Sequence, residues 1–370
     1  MPSASRMPVA PGRRIVITGA SGNVGTALVT RLRTQFPDDR LVGVARRIPG
    51  TGDVYRDLEW HSIDLAGADA EARLRPVFDK ADAVVHLAWG FQPTRNVEYL
   101  ERVAVHGSRA VLDAASAAGV GQLVHMSSVG TYAAGMYGRR VDESWPTTGI
   151  RTSPYSRHKA AVEAMLDSYE ADHDGRGVPI ARMRPGFVVQ GAAASELLRY
   201  GLPAWVPAGL IRLLPVLPLD RSFVIPLVHA DDVAAAVEKV LQTGATGAFN
   251  LAAESAVGRG AVAAALGARA VHIPARVLAA IVDWSWRARL QPVDRGWLDL
   301  AFAVPLLDCG RAVRELGWAP TRSATDLLRE IVAAAAERRH GDSEPLRKRS
   351  MPDLLRRDLA QRPITTRRLP

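Results

Sequence analysis

The chain has 370 residues, 48% of them hydrophobic and 23% charged, ordinary globular proportions that exclude a wholly disordered chain. Its single cysteine, Cys309, excludes an intrachain disulfide and lacks the Cys or His neighbours of a metal site, so a reducing cytoplasm is the expected compartment. The net charge of +9 invites a nucleic-acid partner, but ten basic against five acidic residues after position 336 carry more than half of it, which reads as a disordered, solvated tail over 336–370.

Residues 1–12 form a flexible leader with no apolar core, so no secretory signal is expected. The longest apolar stretch, 204–219, is broken by Pro207, Arg212, Pro215 and Pro218, which argues against a membrane span. In between, β-branched runs alternate with helical spacing. Strands are predicted at 14–18, 41–45, 83–88, 123–127 and 180–183, and helices at 25–36, 68–78, 99–118 and 155–170. Such alternation predicts an α/β fold, a Rossmann-type doubly wound parallel sheet over 13–190, with 229–252 returning to it. From 191 to 335 the pattern loosens into a smaller C-terminal lobe, expected to bind substrate over the carboxyl ends of the strands.

Directly after the first strand comes Thr18-Gly19-Ala20-Ser21-Gly22-Asn23-Val24-Gly25. Glycines at 19, 22 and 25 suit a tight turn, close approach to a pyrophosphate and helix–strand packing, with the anion at the helix N-terminus. Ser21, Asn23 and Val24 fall in the same turn. The second strand ends in Ala45-Arg46-Arg47; an NAD site usually places an acid here, whereas arginines suit the 2′-phosphate of NADP, so NADP is favoured over NAD. Two solvent-facing charges are the plainer alternative. Asp64-Leu65 is a candidate adenine contact or a helix cap, and Leu87-Ala88 are expected near the cofactor riboses.

Ser153 and Pro154 open a helix as N-cap and first residue. Tyr155 and Lys159, four apart, share one face, and Val162 and Leu166 continue it inward. Only four of the 47 basic residues are lysine, which gives Lys159 weight. A carbonyl–alcohol hydride transfer needs a proton donor and acceptor. A phenol serves if an adjacent ammonium and an oxidised nicotinamide lower its pKa from about 10. Ser128, at the end of the strand VHMSSVGTY, is the expected third catalytic member, with Ser127 and Thr131 as competitors.

TGASGNVG, AVVHLAW, VHMSSVGTY, YSRHK, RPGFVV, LVHADDVAAAV, GAFNLA and ELGWAP, in that order, resemble the extended short-chain dehydrogenase/reductase family, the NAD(P)-dependent epimerase/dehydratase group, over about 14–320. The resemblance implies a Ser128, Tyr155 and Lys159 triad, a cofactor contact at Pro185, structural roles for His229, Asp231 and Asp232, and a homodimer through the helices at 99–118 and 155–170. Three departures stand out. Ala104 replaces a frequent asparagine, which puts a proton-relay water in doubt. Phe187 and Ile225-Pro226 replace polar anchors of a nucleotide diphosphate, with Arg221 or Arg212 as substitutes. The lobe instead offers Leu202, Trp205, Leu210, Leu213, Leu214, Phe223, Trp284, Trp286 and Trp297, as core or as an apolar pocket.

The expected function is therefore an NAD(P)-dependent oxidoreductase acting on a carbonyl or secondary alcohol, a small and possibly apolar molecule, with no metal, nucleic acid or membrane span. The alternatives are a nucleotide-sugar epimerase or dehydratase holding NAD tightly, and a non-catalytic NAD(P) sensor.

Overall fold

The computed structural model describes residues 12–50, 52–90, 96–194, 215–288, 290–291, 293–337 and 339–347. Strand β1 (Arg14–Thr18) leads into helix α1 (Asn23–Gln35), followed by β2 (Arg40–Ala45) and β3 (Glu59–Ser62). Helix α2 (Ala70–Phe78) then leads to β4 (Ala83–His86). After β4 come α3 (Val97–Glu101), a π-helical turn (Arg102–His106), α4 (Gly107–Ala118) and β5 (Gln122–Met126). The single helix expected over 99–118 is thus interrupted by the wider turn, which contains the buried Ala104. Beyond β6 (Arg140–Val141) lie α5 (Pro154–His173), β7 (Ile180–Pro185) and β8 (Phe187–Val189); β12 (Gly247–Leu251) comes later.

These strands form a seven-stranded parallel sheet in the order β12-β7-β5-β4-β1-β2-β3. Strand β1 lies between β2 and β4, so the winding direction reverses beside it and a crevice opens at the carboxyl ends. The alternation of side chains along a strand feeds two cores. Ile15 and Ile17 pack with Leu28 and Leu32 of α1 and with Val233 and Val237 of the helix Ala230–Thr243. Val16 faces the opposite way, into Leu74, Leu112, Val162 and Leu166. Each buried aliphatic contributes about 1.5–3 kcal/mol.

The lobe is built from short strand pairs and helices. Val224–Ile225 pairs antiparallel with Val257–Gly258, and Arg269–His272 pairs parallel with Val216–Leu219. The helices Arg295–Ala303 and Ala324–Ala336 each supply buried apolar residues to the interface with the sheet domain, Leu300 beside Val129 and Tyr132, and Leu327 beside Val189 and Leu227. Leu202, Trp205, Leu210, Arg212, Leu213 and Leu214 lie outside the described residues. Trp284 is 66% exposed.

One expectation is corrected outright. Residues 341–347 are not a solvated tail: Ser343 and Leu346 are fully buried. Gly341 N–H donates to Leu346 O, Leu346 N–H donates to Ser343 O, and Ser343 Oγ donates to Ser21 O at 2.7 Å. Charge counting missed this because a buried serine and leucine hold the loop whatever its net charge. Among the described residues no helix is long and apolar enough to cross a membrane.

Candidate active site

Backbone geometry shapes the turn after β1. Gly19 has φ +75°, and a Cβ there would lie 2.7 Å from the Ala88 backbone nitrogen. A Cβ on Gly25 would lie 2.3 Å from Gly19 O, so α1 can approach β1 only through glycine. Gly22 lines the open side. Asn23 is held by β8 and its exit: its Nδ2 donates to Val188 O, and its Oδ1 accepts from Gln190 Nε2. A glycine-rich turn at a helix N-terminus and beside a cavity fits the pyrophosphate of a dinucleotide.

That cavity, of ≈ 590 Å³, runs from the turn to α5. Gly19, Ser21, Gly22, Asn23, Val24, Gly25, Arg46, Arg47, Asp64, Leu65, Leu87, Ala88 and Pro185 line it together with Ser128, Tyr155 and Lys159. Of the residues singled out from the sequence as catalytic or cofactor-binding, only Thr131 is left outside the cavity lining. At the β2 end, Arg46 Nη1 donates to Tyr99 Oη at 2.7 Å, and Arg47 Nη1 donates to Glu344 Oε1 at 3.0 Å. Asp64 lines the cavity and accepts from Ala66 N–H at 3.0 Å within its own loop; it is not a helix cap, since Asp69 precedes α2.

Ser153 accepts from Ser156 N–H and Pro154 occupies the first turn, so α5 starts where Tyr155 and Lys159 face the sheet. The strand end separates the serines. Ser127 Oγ donates to the buried Glu163 at 2.5 Å and is committed there, whereas Ser128 Oγ accepts from Gly130 N–H at 3.0 Å and hydrogen-bonds the Tyr155 phenol. Thr131 is buried and does not line the cavity.

The electrostatics differ from the expected acidified phenol. Burial pushes Tyr155 up to about 12, opposed only by the Ser128 hydrogen bond. Lys159 Nζ donates to Met126 O at 2.7 Å and sits 3.3 Å from the centroid of the Trp89 ring. Burial also depresses Lys159 well below its ordinary value, although Glu163 works the other way. The tyrosine ring is packed between Trp297 (5.5 Å, tilted) and Trp89 (6.2 Å, edge-on).

Beneath the site, His86 on β4 bridges Thr18 (2.7 Å) and Ser108 (2.9 Å), with burial driving its pKa down to about 3, so the ring is a neutral strut. Glu163, one helical turn beyond Lys159, meets Arg182 Nη1 at 3.0 Å and Arg184 Nη2 at 2.8 Å. His229 accepts from Asp231 N–H, and Asp232 Oδ1 accepts from Thr321 Oγ1, joining the lobe to the helix Ala230–Thr243.

Among the described residues, every lobe side chain lining the cavity is apolar, Phe223, Ile225, Val257, Leu300 and Ile331 included, and Phe187 of β8 adds to them. Arg221 is not among them, and Arg212 lies outside the described residues. Sequence reasoning missed Tyr99 and Glu344 as wall residues; neither sits in a recognisable spacing.

A sheet that reverses direction beside β1, a glycine turn at that point and a Ser, Tyr and Lys group across the cavity define an enzyme of the short-chain dehydrogenase/reductase type. The model of the NAD dependent epimerase/dehydratase family matches residues 15–253, and the chain belongs to that family. Among curated relatives, dTDP-glucose 4,6-dehydratase of Streptomyces griseus is 27% identical over 339 residues, 86% of this chain and 93% of the relative. Uncharacterised proteins of Mycobacterium tuberculosis and Mycobacterium bovis are 26% identical over 333 residues, 88% of this chain, which spans only 30% of their length. Two solved structures share the fold. UDP-glucose 4-epimerase of Thermus thermophilus, in complex with NAD, has a TM-score of 0.64 at 21% identity, covering 87% of this chain and 98% of that one. The dTDP-glucose 4,6-dehydratase DesIV of Streptomyces venezuelae, with NAD bound, gives 0.65 at 22%, covering 90% and 100%.

Proposed function

We propose that the protein transfers hydride between NAD and a carbonyl or secondary alcohol carbon, with Tyr155 as proton donor and acceptor. The observation that supports this best is that Ser128, Tyr155 and Lys159 line the same cavity as the glycine turn. Bound NAD supplies the hydride donor or acceptor; the rest falls to this chain. Ser128 Oγ–H donates to the substrate oxygen and orients it. Tyr155, protonated across the neutral range because burial lifts it to about 12, delivers its proton to that oxygen as the carbonyl is reduced. Lys159 would hold the nicotinamide ribose hydroxyls and add positive charge where phenolate forms in the reverse direction.

NAD is favoured over NADP because Arg46 and Arg47 already hold Tyr99 and Glu344, and because the similar solved structures carry NAD. The apolar lobe wall supports an apolar body on the substrate. A second reading, nucleotide-sugar epimerisation or dehydration with NAD retained, is supported by the dehydratase relative that the chain matches over 93% of its length. Mass spectrometry of nucleotide released from the purified protein, followed by NADH consumption with apolar ketones, separates the two. Net NADH loss with a ketone supports the first. Co-purifying NAD and turnover of UDP- or dTDP-glucose without net redox would establish the second.

A further inference from the structure

The carboxylate that usually reads the adenosine ribose at the end of β2 is missing, since Ala45 stands there. A carboxylate nevertheless reaches the same wall of the cavity from the other end of the chain. Glu344 lines the cavity with Ala45, Arg46, Arg47, Asp64 and Pro345. Its Oε1 accepts from Nη1 of Arg47, the second residue beyond the β2 end, at 3.0 Å, and also from Arg347.

The loop that carries Glu344 is anchored. Ser343, fully buried, donates from Oγ to Ser21 O within the glycine turn, 322 residues away in sequence, and Leu346 is fully buried on the other side. Glu344 is therefore clamped between two anchors, one of them on the pyrophosphate cradle itself.

We infer that Glu344 is a specificity-determining residue that replaces the missing β2 acid, accepting hydrogen bonds from the adenosine ribose hydroxyls of NAD and rejecting the 2′-phosphate of NADP. A ribose 2′-hydroxyl finds an acceptor there. A 2′-phosphate meets like charge, and the guanidinium that would receive it is already paired. The 341–347 loop is thus part of the dinucleotide site, and the cradle is incomplete without it. The inference rests on the reading that this cavity takes NAD.

Calorimetric titration of NAD and NADP into the full-length protein tests it, beside the Glu344→Gln and Ser343→Ala variants. Wild type is expected to bind NAD at least about tenfold tighter than NADP. Glu344→Gln should narrow that ratio at least about fivefold, weakening NAD and strengthening NADP as Arg47 is released. Ser343→Ala, which loosens the anchor and keeps the carboxylate, should move both affinities the same way by less. A ratio unchanged in Glu344→Gln while NAD still binds overturns the role of Glu344 and leaves the dinucleotide reading standing, as does wild type preferring NADP. Absence of binding of either nucleotide to wild type overturns both.

Discussion

Lys159 Nζ lies 3.3 Å from the centroid of the Trp89 ring, so the ammonium of the catalytic helix rests on an aromatic face. Burial depresses this lysine; Glu163 opposes that, and the Trp89 ring and the Met126 carbonyl also favour its charged form. Trp89→Leu removes a cation–π attraction worth about 0.5–2 kcal/mol, which favours the neutral amine. The alkaline limb of kcat/KM should then move to lower pH by about half to one unit, and Trp89→Phe should restore most of it. An alkaline limb at the same pH in wild type and Trp89→Leu would show that the ring does not hold the charge.

Tyr155 carries the proton in the proposed chemistry. Tyr155→Phe should lower kcat by about 10²–10⁴ while leaving the NAD dissociation constant within about threefold. The sign of the pH dependence follows from the phenol standing at about 12. Carbonyl reduction uses the protonated form, so Tyr155 imposes no fall in rate through the neutral and mildly alkaline range, and an alkaline limb there belongs to Lys159. Alcohol oxidation needs phenolate and should rise with pH. Activity surviving in Tyr155→Phe would assign the proton to another group.

The glycine turn makes a third claim. Gly25→Ala places a methyl against Gly19 O, which must move, and backbone crowding of this kind is worth about 1–3 kcal/mol. NAD affinity should fall together with the thermal midpoint. A variant that keeps both would mean that the turn has room which the contact denies.

How much of this was legible beforehand follows the range of each interaction. The glycine turn and the Tyr155–Lys159 pair are set by local spacing, and both appear where strand-to-helix and i,i+4 geometry put them. Ser128 against Ser127 was not decidable from spacing. It turns on Glu163, whose carboxylate claims Ser127 from a different element. The Lys159 environment depends on Trp89 from β4's exit and Met126 from β5, so it could not be read along α5. Glu344 is the extreme case: a charge in a basic tail reads as solvent, and only the Ser343–Ser21 contact across the whole chain makes it part of a wall. The π-turn at Arg102–His106 likewise leaves no periodic trace, because it adds one residue to a helix otherwise regular on both sides.

Glu163 provides the last prediction, on stability. Its side chain is fully buried between Arg182 and Arg184 and accepts from Ser127, so its removal leaves two buried guanidinium groups short of their anion. Breaking one side of such a cluster lowers stability by about 3–5 kcal/mol, and Glu163→Gln at pH 7 should lose that much in denaturant titration. Burial alone would raise the carboxyl pKa. The hydrogen bond and charge of Arg184, the Ser127 donor and Arg182 outweigh it and hold Glu163 below its ordinary 4.5. A depressed carboxylate contributes its full stability above the unfolded-state pKa, about 4.3, and loses it as pH falls through the folded value. The gap between wild type and Glu163→Gln should therefore be widest at neutral pH, begin to close below about pH 4, and be smallest in the most acid range where both remain folded. A gap of equal width at pH 7 and in that acid range would mean that Glu163 acts by shape alone and its charge is not what holds β7 to α5.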